Sequence, residues 1–356
     1  MTDVTATTIL PDGTVQAPMS AGAALVELKS VSKRFVKSLD VAAKIGNAFG
    51  AGLRDEVVHA VDRVSLRIEP GEVVGLVGES GCGKSTLGRL AVGLLPLSAG
   101  ERYWRGAPLA DLNPAKAREV QLRMQMIFQD PYASLNPRMR VVDIVGEAPV
   151  VHGIISPRQK VEYVGLQLNR VGLDPTLMRR FPHQFSGGQR ARIGIARSLA
   201  VKPEFLVCDE SVAALDVSIQ AQVLNLFMEL RSALNLTYLF ISHDLGVVQH
   251  ISERLVIMYL GRVVESGPTS ELFEAPNHPY THALLGGIGK VEPVKRVFIP
   301  VKGEIPSPLD PPSGCHFHPR CPHVMPKCRA FAPPLVEIAP QRKSACWLNE
   351  AAHDAA

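Results

Sequence analysis

GESGCGKST, residues 78–86, follows the apolar run EVVGLVG and precedes LGRLAVGLL, whose leucines recur at helical spacing. The stretch fits G-x-x-x-x-G-K-[ST], a glycine-rich turn between a strand and a helix. Gly78, Gly81 and Gly83 allow the backbone to curl so that consecutive N–H groups face phosphate oxygens. Lys84 is placed to reach the β- and γ-phosphates of a nucleotide, and Ser85 to offer its hydroxyl to Mg²⁺. Glu79, Ser80, Cys82 and Thr86 complete the loop and the first helical turn, with Cys82 read as a small filler. The start of the helix adds favourable partial positive charge. This reading decides the fold class: α/β, built on a phosphate-loop nucleotide-binding core.

The surrounding sequence agrees with a parallel sheet. EFLVCDE (204–210) and TYLFISH (237–243) are apolar runs of buried-strand length. Between them Ile219, Val223, Leu226, Leu230 and Leu234 recur at three and four, which predicts a helix with one buried face. ALVELKSVSKRF (24–35) alternates as a half-buried strand does, and VSLRIEPGEVVGLVGES (64–80) reads as two short strands around Pro70-Gly71. RLVIMYLGRVVESG (254–267) reads as a hairpin around Gly261. Residues 112–185 are less strand-like and predict a helical subdomain. Residues 1–24 read as a disordered leader, 25–275 as the nucleotide-binding domain, 37–56 as a surface insertion, and 276–356 as a C-terminal extension. Ten prolines lie between Pro306 and Pro340, which argues against regular helix there.

Composition sets outer limits. The chain has 356 residues, 46% of them apolar, enough for a substantial core. The 38 Lys and Arg against 34 Asp and Glu give a formal charge of +4, small for a protein built to neutralise nucleic-acid phosphates. No apolar run approaches the ~18 residues of a membrane span, and the first 24 residues carry no basic-then-apolar signal pattern. A soluble, cytoplasmic chain is expected.

LVCDE places Asp209 and Glu210 at a buried strand's end, where one acid can hold Mg²⁺ through water and the other can polarise an attacking water. FSGGQR (185–190) then narrows the class. SGGQ, with GESGCGKS before it and DE about twenty residues after it, resembles the nucleotide-binding subunits of ATP-binding cassette transporters over about residues 25–290. The resemblance implies an ABC-type fold, with a RecA-like core, an antiparallel β subdomain and a helical subdomain, and ATP with Mg²⁺ as ligands. It assigns Phe35 to adenine stacking. Gln129 in MIFQDPYASLNPR becomes the residue that touches Mg²⁺ and the water. Ser186, Gly187, Gly188 and Gln189 are the signature that binds the ATP of a partner subunit. Ala214, Leu215 and Asp216 form the dimer-interface loop, and His243 in ISHD contacts the γ-phosphate. Two departures stand out. Ser211 replaces the proline usual after the catalytic glutamate, and Ala213 the serine usual before Ala214. Both bear on the dimer contact, whereas intact Glu210 predicts hydrolytic competence.

NHPYTHALL (277–285), GEIPSPLDPPSGC and CHFHPRCPHVMPKC (315–328) resemble the C-terminal extension of dipeptide and oligopeptide permease ATPases. That implies import of peptides, or of nickel or another small solute, by a complex at the cytoplasmic face of a bacterial plasma membrane. The implied partners are two membrane-spanning permease subunits, a second similar ATPase (a heterodimer) and an extracytoplasmic substrate-binding protein. The surface from Gln129 to Arg140 would receive a short helix of a membrane subunit. A non-transport cassette ATPase acting on ribosomes or DNA, and a monomeric phosphotransferase, are the competing readings. A single phosphate loop, weak basicity and SGGQ speak against them, and no nucleic-acid partner is expected.

The opening of the extension raises a metal question. Cys315, Cys321, Cys328 and Cys346 are separated by five, six and seventeen residues. Structural zinc sites use closer pairs, and a reducing compartment disfavours disulfides. Four thiolates from a loop-rich segment suit an iron–sulfur cube, and some members of the resembled subfamily carry [4Fe–4S] on such cysteines. The cluster is the leading expectation. Zinc with histidine help and no metal are the alternatives.

Overall fold

The structure is a computed structural model, and it describes residues 23–37, 55–286 and 303–353. The leader and most of the 37–56 insertion lie outside the described residues.

Among the described residues, two sheets carry the fold. The smaller is antiparallel, in the order β2-β1-β4-β5, from β1 (Val26–Lys37), β2 (Glu56–Ile68), β4 (Ala99–Trp104) and β5 (Ala107–Pro108). The larger has eight strands in the order β11-β12-β10-β9-β3-β8-β7-β6. Its parallel centre is β3 (Val73–Val77), β6 (Met124–Ile127), β7 (Phe205–Asp209), β8 (Thr237–Ile241) and β9 (Arg254–Tyr259). Residues of β3, β7 and β8 are buried along their whole length, as continuous apolar runs demand of strands covered on both faces. β9 and β10 (Arg262–Pro268) form the expected hairpin, turning at Leu260 and Gly261.

Helices cover the parallel centre. α1 (Lys84–Ala91) follows the phosphate loop, and Gly88 lies so close to Val207 and Ile241 that a Cβ there would meet both side chains under 3 Å away. α2 (Pro114–Arg123) starts on an Asn113 cap. α3 (Val141–Val151) and α4 (Lys160–Arg170) form the helical layer with α5 (Gly187–Leu199). α6 (Val217–Leu234) buries Val223, Leu226 and Leu230 on the predicted face. α7 (Leu245–Ile251) packs behind β3, where Val248 closes on Gly75.

Three expectations need correction. The stretch 112–185 is not wholly helical: β6 is the edge strand of the main sheet, and helices dominate only beyond it. Its four residues, MQMI, are too short to show a period. The segment 64–80 does hold two strands around Pro70-Gly71, but the first is the end of the long β2, which begins at Glu56 and joins the other sheet. Prolines also do not bar helix from the extension. Pro326 occupies the first turn of α9 (Pro326–Ala330), where its missing N–H costs nothing. α8 (Pro279–Gly286), ahead of that proline-rich stretch, also begins with proline.

The extension is joined to the core rather than appended to it. β12 (Arg342–Ser344) pairs with β10, and β11 (Val336–Ala339) pairs with β12, so the tail lengthens the main sheet. Phe317 is 2% exposed and packs edge-on to Tyr259, with Tyr280 against both rings. Fully buried Glu265 accepts the N–H groups of Asn277 and His278, each at 2.8 Å, and faces Arg342.

Candidate nucleotide site

The parallel strands end on one edge of the sheet, and the chemistry-bearing residues leave from those ends. This is where ligands bind open α/β sheets. β3 delivers the phosphate loop, β6 Gln129, β7 Asp209 and Glu210, and β8 His243.

In the loop, Gly81 and Gly83 have φ of 78° and 104°. A Cβ on Gly83 would overlap the Ala60 carbonyl oxygen. Lys84 is buried, and its Nζ donates to the carbonyls of Gly78 at 2.8 Å and Glu79 at 3.0 Å. The ammonium is thus held inside the loop's curve, a fixed charge facing the space a phosphate would take. Cys82 is buried, and burial pushes its thiol above the ordinary value, which fits a filler and not a nucleophile. Ser80 and Gly81 are exposed at the loop's tip, and Thr86 is half-buried.

Ser85 donates its hydroxyl to Asp209 Oδ1 at 2.8 Å. Asp209 is 2% exposed, and burial raises its pKa against the lowering effect of that hydrogen bond. A desolvated carboxylate beside a hydroxyl, all oxygen donors, fits a hard divalent cation such as Mg²⁺. These two residues would hold the ion, and the ion would supply charge neutralisation at the phosphates.

Glu210 lies at φ 46°, a left-handed conformation unusual for a side-chain-bearing residue, with its N–H fixed on Ile241 O at 2.9 Å. That strained turn aims the carboxylate off the strand end. Gln129 Nε2 donates to Glu210 Oε2 at 2.8 Å, and His243 Nδ1 stands 3.3 Å from the same oxygen. The His243 side chain is 59% exposed and Glu210 17%, so the imidazole sits on the open side. Gln129 commits its amide to Glu210 in this arrangement, not to the Ser85–Asp209 pair. Ser211, just behind Glu210, is buried.

Phe35 is 40% exposed near the end of β1. Its register partner Val58 lies two residues before Ala60, the residue touching Gly83. The ring is therefore exposed rather than buried in the core, on the strand paired with the one whose Ala60 touches the loop.

SGGQ stands apart from this cluster. Ser186 Oγ accepts the Gln189 N–H at 3.3 Å and Gln189 Oε1 accepts the Ser186 N–H at 3.0 Å, a capping box that opens α5. Gly187 and Gly188 pack on Leu215 and Ile219. Asp216 stands at the N-cap position of α6 with no capping side-chain hydrogen bond, and Val217 beside it is 84% exposed. The signature and Ala214–Asp216 thus share one surface.

A family model described as ABC transporter matches residues 61–213, the stretch that carries the phosphate loop, Gln129, Asp209 and Glu210 but ends before His243. Relatives of known class align over most of the chain: a probable peptide ABC transporter ATP-binding protein, y4tS, of Sinorhizobium fredii is 48% identical over 82% of this chain and 83% of its own length. The chain belongs to the ABC transporter ATPases. Another ATPase of this family, the oligopeptide transport ATP-binding protein AppF of Bacillus subtilis, is 47% identical over 91% of this chain and 97% of its own. A second model, oligopeptide/dipeptide transporter C-terminal region, matches residues 264–328. Among solved structures, a dimeric post-hydrolysis ATP-binding cassette, MJ0796, bound to ADP and Pi superposes with a TM-score of 0.57. It is 26% identical, over 68% of this chain and 98% of that one. The ABC ATPase fold expected from the sequence is the fold observed. No helix among the described residues is long and apolar enough to cross a membrane.

The four extension cysteines behave differently from the nucleotide residues. All are free thiols and all line one small pocket with His318, His323, Trp347 and Leu348. Cys315 N–H donates to Cys328 O at 2.8 Å, which brings two of them side by side. Burial pushes the Cys315 and Cys321 thiols up, and Cys346 to about 11. Yet among the described residues no group of three or more His, Cys, Asp or Glu is placed to hold a metal ion. The thiols thus share one pocket without forming a ready-made ion site. Sequence reasoning also missed Tyr280 and Arg320, which reach the phosphate loop. They lie 201 and 241 residues from Glu79, and no local pattern announces a contact at that distance.

Proposed function

We propose that the chain is the ATP-hydrolysing subunit that powers peptide import through a membrane permease. The observation that carries this is the pairing of a complete strand-end ATPase site with an extension of the oligopeptide/dipeptide transporter type. Glu210 orients and polarises the attacking water, with Gln129 holding the carboxylate and His243 meeting the γ-phosphate. Phe35 stacks on adenine. Ser186–Gln189 donate from the start of α5 to the triphosphate bound by a partner ATPase, so ATP joins two subunits and hydrolysis parts them. The capping box and the exposed Val217 support that interface, because they leave the helix start and the Ala214–Asp216 loop facing outward.

The partners are two membrane-spanning subunits, a second similar ATPase and an extracytoplasmic binding protein, with this chain at the cytoplasmic face of the plasma membrane. Residues Gln129 to Arg140 receive the coupling helix. Turnover of the purified complex, stimulated by peptide-loaded binding protein, is the expected result. Stimulation by a nickel-loaded binding protein alone would move the substrate to another solute.

The four cysteines are proposed as ligands of an iron–sulfur cube. Their convergence onto one pocket, from the loop holding Cys315 and Cys321, from α9 and from the segment after β12, supports this, since sulfur donors suit iron. Iron and acid-labile sulfide in anaerobically purified protein, lost on Cys→Ser substitution, test it. Zinc without iron would reject it.

A further inference from the structure

Glu79 is the second residue of the phosphate loop, and each of its polar groups has a partner. Its carbonyl accepts Lys84 Nζ at 3.0 Å. Its N–H donates to the Tyr280 hydroxyl at 2.8 Å. Its carboxylate receives both terminal nitrogens of Arg320, Nη1 on Oε2 at 2.7 Å and Nη2 on Oε1 at 2.9 Å. Thus two groups of the C-terminal region grip a single residue of the loop, and that residue holds the phosphate-binding lysine.

The grip is built, not casual. The Arg320 side chain is 5% exposed and its guanidinium lies 5.8 Å from the Tyr259 ring and 6.0 Å from the Phe317 ring. Fork-to-carboxylate pairs shielded from water are the strong and orientation-specific kind of ion pair. Tyr280 is fully buried, and the Arg320 N–H is itself fixed on Phe317 O at 3.0 Å. The aromatic cluster therefore sets the position of the guanidinium, and the guanidinium sets that of Glu79.

The charge balance gives this grip a role. A carboxylate in the phosphate loop would repel a triphosphate if left unpaired, and the repulsion would be strong near a half-buried wall. We propose that Arg320 is a positioning residue for ATP. It neutralises Glu79, holds it turned toward the extension, and thereby fixes the peptide unit whose carbonyl anchors Lys84. The extension is then a working part of the nucleotide site. The inference rests on the chain's ATPase activity and is independent of what the transporter carries.

The test is calorimetric titration of the full chain with ATP, alongside steady-state turnover. Arg320→Met keeps the apolar stem and removes the charge. Its Kd and KM for ATP should rise about tenfold, or ~1.4 kcal/mol, with kcat within about twofold of wild type. Adding Glu79→Gln to that variant removes the exposed charge, and affinity should return to within about threefold of wild type. A purely structural arginine would give no such recovery. If Arg320→Met fails to fold, Arg320→Lys keeps a charge without the fork, and a Kd raised about threefold is expected. Wild-type affinity in the single variants, or a double variant as weak as Arg320→Met, overturns the proposal. A wild-type chain that binds no ATP would take down the ATPase assignment with it, whereas failure of the peptide reading shows only in the whole-complex assay.

Discussion

Gln129 and Glu210 are 81 residues apart in sequence, and the Gln129 amide donates to Glu210 Oε2 at 2.8 Å. The contact exists because β6 and β7 are parallel neighbours whose ends open on the same edge. It fixes the carboxylate by one oxygen and leaves the other for a water.

Glu210→Gln removes the proton acceptor while keeping the shape. General-base loss costs about 10²–10⁴ in rate, so turnover should fall by at least a hundredfold. ATP affinity should stay within a few-fold, because Lys84 and Ser85 are untouched. Single-turnover hydrolysis with parallel binding measurements checks both. Turnover near the wild-type rate would remove Glu210 from its assigned role.

Gly83→Ala tests the loop's backbone. The φ of 104° and the overlap with Ala60 O are both intolerable for a Cβ. The strain is on the order of 1–3 kcal/mol, and β2 or the loop must shift. A lowered melting temperature and ATP affinity reduced by tenfold or more are expected. Gly81→Ala has open space around its Cβ and carries only the strain of its φ, so it should do less damage in the same assays.

Ser186→Arg addresses the signature. Ser186 contributes to the α5 cap, a bond worth ~1 kcal/mol, so stability should drop modestly. The larger consequence is steric, because a long cation at the start of α5 blocks approach of a second subunit. ATP-dependent association of the ATPases, followed by light scattering in a Glu210→Gln background, should disappear while ATP binding by the single chain persists. Persistent association would place the interface elsewhere.

Much of this site was legible because it is written in local patterns. The loop GESGCGKST, the acids after a buried strand and SGGQ before a helical run each state their own backbone geometry. β7, β8 and α6 were equally plain, since fully buried strands and a one-sided helix impose long apolar periods. β6 was not, because four residues at a sheet edge are too few to show a period. The role of the extension was hidden for another reason. Arg320, Tyr280 and β12 act through partners tens to hundreds of residues away, and a sequence window records no such pairing. The cysteines sit between these cases. Their spacing announced convergence on a pocket but not the spacing of the sulfurs within it.

The buried histidines of the extension make its stability depend on pH. His278 is 1% exposed, and burial, aided by His282, lowers its pKa to about 4. Its Nδ1 accepts the Tyr280 N–H at 3.0 Å, a bond that a protonated Nδ1 cannot accept. Burial and Arg262 likewise bring His316 to about 4. An unfolded imidazole takes its proton near 6.5, so between about 6.5 and 4 the unfolded chain binds more protons than the folded one. Stability is therefore complete above 6.5 and falls as pH drops through that window, by roughly 3 kcal/mol per histidine at pH 4. Thermal unfolding from pH 8 to pH 4 should show the decline. His278→Gln, neutral at every pH, should be less stable at pH 8 yet lose less between pH 6.5 and 4. A variant with the same slope as wild type would mean that His278 takes up its proton equally in both states, and that the acid sensitivity lies elsewhere.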